Sequence, residues 1–284
     1  MIPGKLFICP TPIGNLEDIT LRVLRILEEV DLIACEDTRR TGKLLEHFEI
    51  EKPLLSYHQH NEVKRTKKLL DKLGQGQDIA LVSDAGTPGI SDPGEIIIKK
   101  ALSAGAKIIP LPGASAILPA LVVSGFSTTR FTYEGFLPRK GKEREDRLAE
   151  VIAEEKTVVI YESPYRLLET LQDLAAKIPE RRIAIVREIS KMHEEKLYGT
   201  AAELADKLKD KQVRGEVVLV LEGREPAEDE LDFADITVLE HLKLLMSEGF
   251  TKKQAIKEVA EVRDMPKSEV YQVAIAIDAK IDNK

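Results

Sequence analysis

Short apolar runs alternate with longer amphipathic stretches along the first two-thirds of the chain. Leu6-Phe7-Ile8-Cys9, Asp31–Cys35, Leu54–Tyr57, Ile79–Val82 and Lys107–Leu111 are too short for core helices and too continuously apolar for half-solvated strands. They predict buried strands. The stretches between them, 21–29, 61–73 and 95–104, carry apolar residues at helical spacing, with Thr20 placed as the N-cap of the first. Strand and helix in strict alternation predict an α/β domain over residues 1–117 with its loops on one side. A second set of runs, Thr132–Phe136, Thr157–Ile160, Arg182–Val186, an edge strand within His193–Thr200 and a closing strand in Gly215–Val220, predicts a second α/β domain over 125–224. After the acidic linker 225–230 the pattern turns purely helical. Residues 232–284 predict three short helices, the second opened by a Thr251-x-x-Gln254 capping box. Such a module is either helix-turn-helix-like or a small docking bundle; Lys252, Lys253, Lys257, Arg263 and Lys267 favour RNA.

Composition narrows the class. With 43% hydrophobic and 32% charged residues the chain can bury a sizeable core and is not a disordered sequence. No apolar run is long enough to span a bilayer, and the start is not a signal peptide, so a cytoplasmic protein is expected. Cys9 and Cys35 both lie in strand-like runs and read as buried free thiols. The net charge of −7 argues against a general nucleic-acid binder, so any RNA contact must come from a local patch.

The candidate chemistry sits where strands run into loops. Ser83–Gly94 holds three glycines and two prolines between a strand and a helix, at the strand end where open α/β sheets bind ligands. It also places the carboxylates of Asp84 and Asp92 there. Pro10–Thr20 is a second loop of this character, and Pro112–Ala116 a third. No G-x-G-x-x-G run follows a strand and no Walker A run exists, which removes the standard dinucleotide and P-loop readings. Glu36-Asp37-Thr38-Arg39 is either a charged strand-end site or a capped helix start. His58 and His60, with Glu62 nearby, lack a third ligand at metal spacing and read as polar donors to a substrate, so no metal is expected. The basic segment Arg139–Arg147 is interleaved with acids and fits either a solvated helix face or an RNA contact.

Taken together, Pro10–Leu16, Glu36–Arg39, Ser83–Gly94, Pro112–Ala116 and Tyr161–Arg166 resemble the loops of the tetrapyrrole methylase superfamily, the class III S-adenosylmethionine-dependent methyltransferases. The likeness is to the branch that methylates a cytidine ribose 2′-hydroxyl in 16S rRNA at the decoding centre. It implies two α/β domains with the cofactor cleft between them, plus the C-terminal helical module. It further implies S-adenosylmethionine bound by Ile13, Gly14, Asp84, Gly86, Thr87, Ser115, Ala116, Tyr161, Ala184, Gly215 and Glu216. Catalytic candidates are Glu36, Asp37 and His58, one of them the base, with Arg39 orienting a phosphate or carboxylate. Arg39, Arg40, His60, Arg139, Lys140, Arg187 and Lys191 are the expected RNA surface on the small ribosomal subunit, and a homodimer is expected. Open alternatives are a same-fold methyltransferase acting on a tetrapyrrole or a protein histidine derivative, and a non-catalytic RNA-binding assembly factor.

Overall fold

A computed structural model describes residues 3–224, 236–247, 249–263 and 265–278. The acidic linker 225–230 lies outside the described residues. The first half reads β1 (Lys5–Ile8), α1 (Leu21–Glu29), β2 (Leu32–Cys35), α2 (Thr38–His47), β3 (Leu54–Ser56), α3 (Glu62–Gly74), β4 (Ile79–Val82), α4 (Glu95–Ser103) and β5 (Lys107–Pro110). These strands form one sheet in the order β3-β2-β4-β1-β5, every pair parallel. Because parallel strands share a direction, every loop that follows a strand emerges on the same edge. The central strands β1, β2 and β4 are buried on both faces, with Leu6, Leu32, Leu69 and Ile79 packing on one side and Cys9, Val23, Ile33 and Val82 on the other. Thr20 caps α1 as expected, its hydroxyl accepting from the Val23 N–H at 3.1 Å.

The chain then crosses through α5 (Ile117–Val123), whose Ala120 and Leu121 pack on the second sheet against Val159, Ala184 and Val218. That sheet is built from β6 (Phe131–Phe136), α6 (Lys142–Ala153), β7 (Thr157–Glu162), α7 (Leu167–Ala175), β8 (Arg182–Arg187), β9 (Glu195–Thr200), α8 (Ala201–Leu208) and β10 (Val217–Leu221). Its order is β6-β7-β10-β8-β9, with β9 an edge strand as the sequence predicts. Only β6 and β7 are parallel; β10 runs antiparallel to both neighbours. Both sheets belong to one compact unit, residues 1–224.

Within α6 the basic segment is not a uniformly solvated face. Arg144 is buried, donating to Asp173 at 2.8 Å, to the Thr170 hydroxyl at 3.0 Å and to the Pro138 carbonyl at 3.2 Å. It pins the α6 entry to α7, which is why charge pattern alone misplaces it.

The C-terminal unit comprises α9 (Val238–Ser247), α10 (Lys252–Val262) and α11 (Lys267–Asp278), around Leu242, Ala255, Val259 and Val270. The Thr251–Gln254 capping box forms. Arg263, expected among the outward cations, instead donates to His241 Nδ1 at 3.3 Å and to the Ile236 carbonyl at 2.8 Å. It serves the small core of its own unit. No described helix is long and apolar enough to cross a membrane.

Candidate active site

Three loops at the carboxyl edge of the first sheet are welded together by backbone and hydroxyl groups. Thr11 and Gly86 exchange N–H···O bonds in both directions, at 2.9 and 2.8 Å. The Thr11 hydroxyl donates to the Ser83 carbonyl at 3.0 Å, and the Ser83 hydroxyl to that of Gly86 at 3.1 Å. Thr87 donates to the Ala114 carbonyl at 3.1 Å, which brings in the third loop. Gly86 sits at φ +78°, where a side chain is strained. The floor is thus set before any ligand arrives.

A cleft of about 510 Å³ opens above this floor, facing the edge of the second sheet. Its first wall is charged. Asp84 accepts the Asp37 N–H at 3.0 Å and pairs with Arg40 at 3.2 Å, so the second strand's loop is tied to the fourth's. Among the described residues, Glu36, Asp84, Asp92 and Glu216 line the cleft beside the cation Arg40, while Glu162 at its inner side is paired with Arg166. Burial, and then the Asp84 charge, raise the Glu36 carboxyl above its ordinary range. Asp92 is pushed up to about 7, first by burial and then by Glu36, with Asp84 and Glu216 adding and a Ser83 hydrogen bond opposing. Carboxylates half-buried beside one another are relieved by a cationic guest, so the cleft favours one.

The second wall is apolar and aromatic. Phe136, Tyr161, Ile189, Val217 and Val218 line it. The Tyr161 ring meets Tyr133 and Phe136 edge-on, with centroids 5.1 and 5.6 Å apart. Beneath them Glu162 is fully buried, accepting from Arg166, Thr170 and the Ser163 N–H, each at 2.7 Å. At the rim, Lys191 pairs with Glu188 at 2.8 Å and Glu216 at 2.9 Å. Its stem lies on Gly14, where an added Cβ would stand 2.3 Å from Lys191 Cγ. Gly215, at φ +85°, leaves room for the Glu188 carboxylate.

A profile of the Tetrapyrrole (Corrin/Porphyrin) Methylases matches residues 5–205. The chain belongs to the tetrapyrrole methylase family. Over 277 residues it is 45% identical to a Synechocystis protein named ribosomal RNA small subunit methyltransferase I, covering 97% of this chain and 99% of that one. A Bacillus subtilis protein of the same name is 45% identical over 271 residues, 94% of this chain and 93% of the relative. Among solved structures, a diphthine synthase superposes with a TM-score of 0.61 at 14% identity, covering 77% of this chain and 89% of its own. A Thermus thermophilus uroporphyrin-III C-methyltransferase complexed with S-adenosylhomocysteine gives 0.57 at 17%, covering 77% and 97%. Both share the tetrapyrrole methylase fold.

Of the residues marked from sequence in this family member, Ile13, Glu36, Arg40, Asp84, Gly86, Thr87, Ser115, Ala116, Tyr161, Gly215 and Glu216 line the one cleft. Gly14 and Ala184 do not: Gly14 lies under the Lys191 stem and lines the neighbouring groove, and Ala184 is buried in β8 against α5, in the core that supports the second wall. Asp37 caps α2, donated to by the Arg39 N–H at 2.8 Å and by its guanidinium at 2.7 Å, so its carboxyl lies well below the usual range. Arg39 is spent on that pair and otherwise exposed. His58 Nε2 accepts from the Asn61 amide at 2.9 Å, an orientation fixed because Asn61 Oδ1 takes the His58 N–H. The ring proton therefore sits on Nδ1, which is buried and has no partner. His60, Arg139 and Lys140 are exposed, the last two shortly after cleft-lining Phe136. Arg187 lies in another depression, paired with Glu195 at 2.9 Å. Sequence reasoning gave no role to Phe136 or Glu162; the loop composition flagged Asp92, but not the turn that folds it inward.

Proposed function

We propose that this chain is an S-adenosylmethionine-dependent methyltransferase of small-subunit ribosomal RNA that methylates a cytidine ribose 2′-hydroxyl. The observation that carries the reading is identity of about 45%, end to end, with proteins named for that substrate. The cleft suits the cofactor. Gly86, Thr87, Ser115 and Ala116 offer a glycine-shaped floor, Asp84, Asp92 and Glu216 face a positive guest, and Tyr161 with Phe136 gives apolar surface for a nucleoside. When bound, the cofactor supplies a methyl group already activated on a sulfonium.

The protein's share is alignment, exclusion of water and removal of one proton. A ribose hydroxyl is a weak nucleophile. Glu36 is the acceptor best placed in this reading: it lines the cleft, and its raised pKa brings it nearer neutrality, where a base works best. Asp37 is already committed to capping α2 and holding Arg39. A dimeric, cytoplasmic protein belongs to the same reading; light scattering on the purified chain tests the dimer. The substrate test is incubation with labelled S-adenosylmethionine and small subunits lacking the modification, followed by nucleoside analysis. Label on a cytidine ribose is the expected result. Cofactor binding without labelled rRNA, with label instead on a tetrapyrrole or protein acceptor, would overturn it.

A further inference from the structure

A second groove of about 420 Å³ lies beside the cleft and shares Arg40 and Asp84 with it. The loop after β1 forms one side, through Pro12, Gly14 and Leu16; α2 forms the other, through Arg40, Lys43 and His47. The three basic residues stand at i, i+3 and i+7, so the 3.6-residue period places them on one face of α2. They span about 10 Å along its axis at 1.5 Å per residue. Lys43 and His47 are exposed and make no ion pair among the described residues, and Arg40 keeps a side chain 71% exposed beyond its contact with Asp84. Two arginines of α6 are different. Arg144 is buried against Asp173, and Arg147 is held by Glu134 and Glu150 at 3.2 and 2.7 Å. In a chain of net charge −7, the α2 face thus presents the Lys43 ammonium and the exposed Arg40 guanidinium, with the His47 imidazole beside them, next to an acidic cleft.

We propose that this groove is the phosphate grip: Arg40, Lys43 and His47 hold the RNA backbone flanking the target nucleotide, outside the cofactor cleft. The inference rests on the RNA reading above and gives it a site. The opposed signs sort the two guests. A polyanionic strand is repelled by the carboxylates of the cleft and held at α2, so only the nucleotide to be modified has to enter. Backbone grip of this kind positions without reading sequence, which leaves selection to the folded subunit.

The test uses the full chain carrying Lys43→Ala with His47→Ala, beside Lys43→Arg and the wild type. Each is measured for KM on unmodified small subunits, for RNA affinity across a salt series, for cofactor Kd and for melting temperature. The expected double variant raises KM about tenfold and lowers the log-affinity against log-salt slope by about 1–2, in line with lost phosphate contacts. Its cofactor Kd and melting temperature stay at wild-type values, and Lys43→Arg restores RNA affinity. A folded double variant with wild-type KM and salt slope overturns the groove while wild-type labelling of rRNA keeps the function. A wild type that binds no small-subunit RNA overturns both.

Discussion

The two walls of the cleft are made by opposite means. The first is a parallel sheet edge, where every strand hands its loop to the same side, so charged residues far apart in sequence converge: Glu36 follows β2, and Asp84 and Asp92 follow β4. Its rigidity comes from backbone exchange between Thr11 and Gly86 and from Asp84 bridging to α2. The second wall belongs to a mixed sheet. There the cleft edge collects the ends of β6 and β7 but the start of β10, because β10 runs the other way; Val217 pairs with Glu162. It contributes flat apolar surface, held from behind by a buried ionic network. One wall supplies charge on a preset backbone. The other supplies shape and depends on its core.

The largest expected effect strikes the core of the second wall. Glu162→Ala removes a carboxylate with no exposed surface and leaves Arg166, itself largely buried, without its partner. Breaking a buried pair from one side costs about 3–5 kcal/mol, read as a drop in denaturation midpoint; Glu162→Gln should lose less, since it keeps the shape. Next comes Asp84→Ala on the first wall. It frees the Asp37 N–H and Arg40 at once and deletes a carboxylate from the cleft. Cofactor affinity by calorimetry should fall about 100-fold, about 2.8 kcal/mol at 1.4 kcal/mol per decade, with melting little changed. If Glu162→Ala left stability intact, or Asp84→Ala unfolded the chain, the division of labour between the walls would be reversed.

That division also explains what could be read in advance. The first sheet was legible because continuous apolar runs, glycine-rich loops and amphipathic helices follow each other in one repeating order. Its polar site residues sit where a single rule, the loop after the strand, puts them. The second wall breaks the rule: Gly215 and Glu216 precede β10, and only resemblance pointed to them. Ala184 was likewise marked by resemblance alone, and it lies in the β8 core on which α5 packs. Charge pattern misjudged Arg144 and Arg263 alike, since each side chain folds back to satisfy carbonyls or a buried ring that no local spacing reveals. Lys43 and His47 were given no role from sequence, and nothing in the sequence says that the loop after β1 faces them.

The smallest effect tests whether the two walls act as one field. Asp92 belongs to the first wall, but Glu216 of the second adds to the charge that helps push it up to about 7. In the empty protein it is therefore largely protonated below that pH. A cation bound beside it favours the carboxylate, so binding releases a proton and affinity strengthens with pH, by at most tenfold per unit, until about pH 7. The same shift acts on folding with the opposite sign. Between an unfolded value near ~3.9 and about 7 the native state holds a proton that the unfolded chain does not, so stability falls as pH rises through that window. Asp92→Asn should abolish both slopes, leaving a cleft that binds the cofactor with little pH dependence. Calorimetry at pH 6 in two buffers of different protonation enthalpy counts the protons directly. The neutral thioether S-adenosylhomocysteine should release far fewer than the sulfonium if Asp92 is among the residues that would hold the positive sulfur, since the two ligands differ by that charge. Equal release by both ligands would mean that the carboxylates answer to some other part of the molecule, and the acidic wall would lose its claim to recognise the cation.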